Sequence, residues 1–118
     1  MSVIADLTGN ILKIDGFQSS GTTSLTATGN AGTATSRNVQ VTTPSLATAA
    51  AGSQAETITL SGVTTANMAF VTFGGGTNTT WGGVTAVAVC TANTVTITIY
   101  NGNAAALNGT VILNLMVI

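Results

Sequence analysis

Thr94-Val95-Thr96-Ile97-Thr98-Ile99-Tyr100, closed by Asn101-Gly102, decides the fold class. Apolar and polar residues alternate strictly, so Val95, Ile97 and Ile99 fall on one face of a strand and the threonines with Tyr100 on the other. Asn-Gly is a turn dipeptide. No helix fits this period.

The same texture extends in both directions. Glu56-Thr57-Ile58-Thr59-Leu60 turns Ile58 and Leu60 inward and is broken by Ser61-Gly62. Met68 to Phe73 reads as a strand ended by Gly74-Gly75-Gly76. Val84 to Cys90 reads as another, with Val84, Val87 and Val89 available to a core. Asn108-Gly109 introduces the last run, Val111 to Ile118. Nearer the N-terminus, Asn10-Ile11-Leu12-Lys13-Ile14 precedes an Asp-Gly turn, and Arg37 to Thr42 alternates with Val39 and Val41 on one face. Thr23 to Thr28 is a weaker strand candidate, and Ala47 to Gln54 suggests a brief helical turn. About eight short strands with regular turn signals predict an all-β chain, a single antiparallel β-sandwich or jelly-roll-like domain.

Pro44 stands where the texture changes. Before it the chain is rich in Gly, Thr and Ser, and after it the alternation sharpens. The expectation is a looser N-terminal arm over residues 1–45, with short strands. A sandwich core follows over residues 46–118. Within the arm, Ile11 and Leu12 are candidate partner contacts, alongside Trp81 and Tyr100 further on.

Composition narrows the function. Charged residues make up 4% of the 118, against about 25% in an ordinary domain. Asp6, Lys13, Asp15, Arg37 and Glu56 are the whole set, and no charge follows Glu56. Two cations cannot build the basic patch that phosphate contacts require, so nucleic acid is not expected as a partner. In place of charge stand 24 threonines, which favour strands and lose little side-chain freedom when buried against a partner. Near-neutral surfaces tend to associate. No apolar run reaches the roughly 18–20 residues of a membrane helix. The N-terminus, Met1 to Lys13, lacks a basic lead and carries Asp6, so it does not read as a secretory signal.

Catalytic chemistry finds few residues. The chain has no histidine, the commonest general base and metal ligand. The carboxylates at 6, 15 and 56 form no local pair. Cys90 is the only cysteine and ends an apolar run, which reads as a small buried hydrophobe. No enzyme, cofactor, metal or small-molecule substrate is expected. The loop Gly74 to Gly83 has neither the lysine nor the helix of a phosphate loop. It either presents Trp81 to a protein or sugar ring, or folds Trp81 back on the core as a hairpin tip. Asn78-Thr79-Thr80 and Asn108-Gly109-Thr110 match the glycosylation pattern, as chance allows in so Asn- and Thr-rich a chain. Threonines two apart at Thr57/Thr59 and Thr94/Thr96/Thr98 raise ice binding, but no constant period repeats them.

The final run departs from one-sided alternation. Val111, Leu113, Leu115 and Val117 share one face, while Ile112, Met116 and Ile118 occupy the other with Asn114. A strand wet on one face should alternate. Ile112, Met116 and Ile118 are therefore the expected oligomer interface, although an N-terminal arm laid over them would serve equally.

The stretch Ala51-Gly52-Ser53-Gln54-Ala55-Glu56-Thr57-Ile58-Thr59-Leu60-Ser61-Gly62-Val63, then Thr91-Ala92-Asn93 running into Thr94 to Asn101, and the apolar ending Val111 to Ile118 resemble small β-sandwich proteins of tailed bacteriophage virions. The likeness is to capsid decoration or cement proteins, and it spans roughly residues 51–118. It implies a homotrimer on the capsid surface of a virion assembled in the host cytoplasm, bound to the major capsid protein, with residues 1–45 as an arm that lies along the shell or swaps between subunits, and with no catalytic residues. The same sandwich serves in tail fibres and tail tips. There, Trp81 and Tyr100 would be the contacts to a receptor.

Overall fold

The structure, a computed structural model, describes residues 21–26 and 29–118. The expected strand around Ile11 and Leu12 lies outside the described residues. Within them the chain is all-β and without helix, as its alternation predicts. Eight strands form: β1 (Gly21–Ser24), β2 (Ala31–Ala34), β3 (Asn38–Thr42), β4 (Ser53–Leu60), β5 (Ala69–Gly75), β6 (Val84–Thr91), β7 (Thr94–Asn101) and β8 (Ile112–Val117). They make two four-stranded sheets packed together, in the orders β1-β3-β8-β5 and β2-β4-β7-β6.

The sheets are mixed, which corrects the antiparallel expectation. β1 pairs with β3 and β2 with β4 in parallel, while the pairs along β7 and β8 are antiparallel. The cause is the route of the chain. Every described connection except the β6–β7 turn crosses from one sheet to the other, and a strand that returns after a crossover lies parallel to its predecessor. β5 runs the same way as β3, because both oppose β8. Likewise β6 runs with β4, because both oppose β7. The chain therefore winds through β1-β2, β3-β4 and β5-β6 in one sense. After the tight turn at Ala92-Asn93, β7 and β8 return through the middle of the two layers. The parallel pairs depart from the all-antiparallel jelly roll.

Alternation places the core between the sheets. Val39 and Val41 of β3, Ile58 and Leu60 of β4, Val95, Ile97 and Ile99 of β7, and Leu113 and Leu115 of β8 are all buried. β1, β2 and β3 come from the region expected to be the arm, and β3 is an interior strand of its sheet. The segment around Pro44 is tied to the other end of the chain: Thr43 Oγ1 accepts from Val111 N at 2.9 Å, and Leu46 N donates to Gly109 O at 2.8 Å.

Three local expectations change. Ala47 to Gln54 is not helical: Gly52 N donates to Ala49 O at 2.9 Å in a turn with Ala51 left-handed, and β4 starts at Ser53. In β6 the inward residues are Val84, Ala86, Ala88 and Cys90, so Val87 and Val89 point outward. Valines an odd number of residues from Val84 cannot share its face, because the pleat has a period of two. Thirdly, Gly74 to Gly83 is not a hairpin tip. It is a connection between sheets, leaving β5 at the edge of one and entering β6 at the edge of the other.

Candidate functional site

Outward-facing residues of the two sheets are the candidate site. Among the described residues, six large hydrophobic side chains are exposed, from 46% at Tyr100 to 60% at Ile118. Three of them, Met68, Phe70 and Ile118, lie on the outer face of the first sheet. The other three, Val87, Val89 and Tyr100, lie on the outer face of the second.

On the first sheet the register assembles a cluster. Phe70 pairs with Met116 across β5 and β8. One step further, Met68 and Ile118 exchange backbone hydrogen bonds of 3.0 and 2.8 Å. Met116 is half-buried and pairs with Asn38 on its other side. Ile112, also half-buried, occupies the far end of the same face beside Thr42 and Gly75. Between them Asn114 accepts from Gln40 Nε2 at 3.2 Å. The structure thus puts Ile112, Met116 and Ile118 on one outer face, and brings Met68 and Phe70 to Met116 and Ile118. Sequence reasoning did not include those two. The signal for them was the register of β5 against β8, which residue types alone do not carry.

The second sheet presents hydroxyls and a smaller apolar group. Register aligns Thr33, Thr59, Thr94 and Thr91 across all four strands, with Thr57 and Thr96 in the next row. Val89 stands opposite Thr96, Val87 opposite Thr98, and Tyr100 opposite Thr85. Tyr100 is exposed, on the sheet away from Met116. The outward positions of β4, β6 and β7 carry no charged side chain.

Trp81 is half-buried against the core, its ring edge-on to Phe73 with centroids 5.7 Å apart. Its connection is held from the side. Thr77 N donates to Thr110 Oγ1 at 3.0 Å and Thr110 N to Thr77 Oγ1 at 2.8 Å. Asn78 is buried, accepting from Asn108 N at 3.1 Å and donating to Thr80 O at 2.8 Å. An amide so engaged is no glycan acceptor. Ile11 and Leu12 lie outside the described residues.

Charge contributes little to either face. Arg37 and Glu56 are the charged side chains among the described residues. Arg37 donates to Gly62 O at 3.2 Å, and Glu56 is buried in the core. No group of three or more His, Cys, Asp or Glu that could hold a metal occurs among the described residues. What the two faces offer is apolar and hydroxyl contact. Comparison with protein-family models, with curated proteins and with solved structures finds no match for this chain.

Proposed function

We propose that the protein is a structural subunit that works by assembly, a decoration or cement protein on the outer face of a phage head. The observation that carries this reading is the placement of the exposed hydrophobic side chains, three on the outer face of each sheet. Burying one such side chain is worth roughly 1.5–3 kcal/mol, so each face gains by being covered. In this reading Met68, Phe70, Met116 and Ile118 meet other copies in a homotrimer. The second sheet, with Val87, Val89, Tyr100 and its threonine rows, meets the major capsid protein. Contacts of this kind, weak singly, add up when repeated over a lattice. A subunit of this type needs no catalytic group.

The test is the copy number of this chain in purified virions, measured by quantitative mass spectrometry against the major shell protein. A ratio that follows the shell lattice supports decoration. A handful of copies moves the protein to a tail fibre or tail tip, and absence from virions overturns both.

A further inference from the structure

Glu56 lies in the middle of β4 with its side chain turned into the core at 0% exposure, and neither carboxyl oxygen has a hydrogen-bond partner among the described residues. Asn30 stands beside it. It immediately precedes Ala31, the register partner of Thr57, and its backbone oxygen accepts from Thr57 N at 2.9 Å. Its backbone is left-handed, with φ 48°, and its Oδ1 is also buried without a partner among the described residues. Three buried acceptor atoms therefore occupy adjacent register positions with no described donor to serve them. A buried unpaired acceptor is unfavourable, and a buried carboxylate far more so. A single proton on Glu56 changes this, because a neutral carboxyl carries an O–H donor.

We propose that Glu56 is a proton-controlled latch on β2: the neutral acid keeps β2 closed against β4, and the ionised form releases β2 and opens the β4 edge. The asymmetry of the sheet selects β2. On one side of Glu56 lies β7, paired with β4 over seven positions and backed by β6. On the other lies β2, an edge strand of four residues of which only Ala34 is buried. Water reaches an ionised Glu56 with the least loss of packing by displacing β2. An uncovered β4 edge then displays unpaired backbone groups, the usual template for pairing with a further strand.

Among the described residues, no other carboxyl or amine competes inside the core. The inward positions of β2, β3, β7 and β8 carry no ionisable side chain. Cys90 faces inward on β6, opposite Val95, itself two residues from Glu56's partner Ile97. Arg37 is engaged with Gly62 at the surface, and Tyr100 lies on the outer face. Desolvation by burial pushes the Glu56 carboxyl up from 4.5 to about 7. The chain has no histidine, so no side chain with an ordinary titration near neutrality obscures the response.

Hydrogen–deuterium exchange of the full chain at about pH 5.5 and about pH 8.5, corrected for intrinsic exchange, tests the latch. In the wild type, the amides of Gly32, Ala34, Thr57 and Thr59, which face the β2–β4 ladder, should lose protection about tenfold or more at the higher pH, while β7 and β8 keep theirs. Glu56→Gln, which stays neutral, should hold β2 closed at both pH values. Glu56→Leu serves the same comparison if the Gln variant fails to fold. The latch is overturned by equal β2 protection at both pH values in the wild type, by the same loss in the neutral variant, or by a loss spread evenly over all eight strands.

Discussion

Phe70 stands directly opposite Met116 on the outer face of the first sheet, and the next outward pair along the same two strands is Met68 with Ile118. Cross-strand apolar pairs stabilise a sheet modestly by themselves. Four in one cluster, with Met68, Phe70 and Ile118 largely exposed, make a surface suited to a second copy. Phe70→Thr should weaken self-association about tenfold or more, as loss of a large interface side chain does. Folding of the isolated chain should change by no more than about 1 kcal/mol, since the side chain lies outside the core. Sedimentation velocity at several concentrations, with urea unfolding alongside, reads both quantities. An unchanged association constant would remove this face from the proposed assembly.

Salt gives an independent check on the proposed assembly. Arg37 is the charged side chain outside the core among the described residues. Ion pairs across either face are therefore few, and screening has little to act on. Association should change by less than about threefold between roughly 0.05 M and 0.5 M salt. A collapse of affinity over that range, followed by the same sedimentation experiment, would mean that charges outside the described faces dominate.

Gly75 and Gly76 separate two causes of instability at neighbouring positions. Both have left-handed backbones, φ 111° and 124°. A Cβ at Gly75 meets nothing within 4 Å, whereas one at Gly76 collides with the Thr110 carbonyl. Gly75→Ala should therefore destabilise by backbone strain alone, roughly 1–3 kcal/mol. Gly76→Ala should cost more, because the β5–β6 connection must also move away from Thr110. Urea denaturation of both variants measures the difference. Equal losses would show that the connection yields freely around Trp81.

Strand content was legible in the sequence wherever alternation was strict, and the reason is physical. Ile58, Leu60, Val95, Ile97 and Ile99 lie inward because period two leaves them no other face. The outward cluster was half legible: Ile112, Met116 and Ile118 broke the alternation, but Met68 and Phe70 joined them only through register. Strand direction was not legible at all. Whether β1 lies parallel or antiparallel to β3 depends on where the chain travels between them, and residue types do not encode that. Here it passes through β2 in the opposite sheet before β3 begins. Val87 and Val89 face outward despite their hydrophobicity, because parity with Val84 fixes the face. Glu56 was unreadable as a core residue, since its position in the Ile58 and Leu60 series conflicts with its charge.

That conflict at Glu56 gives the described fold a pH dependence. Burial in the folded core pushes the carboxyl up from its ordinary value of 4.5 to about 7. Between those values the folded state holds a proton that the unfolded state has released, so stability falls as pH rises. The contribution is complete below about pH 4.5 and is lost as pH passes through about 7. The gap between the two values corresponds to roughly 3 kcal/mol. Glu56→Leu removes the titration, and its stability should be flat across this window. Its advantage over the wild type should grow by roughly 3 kcal/mol between about pH 4.5 and about pH 8. Urea midpoints at a series of pH values decide it. A wild-type profile as flat as that of Glu56→Leu would mean that the carboxylate is accommodated in the core at no loss, and would remove the physical basis for any proton control of β2.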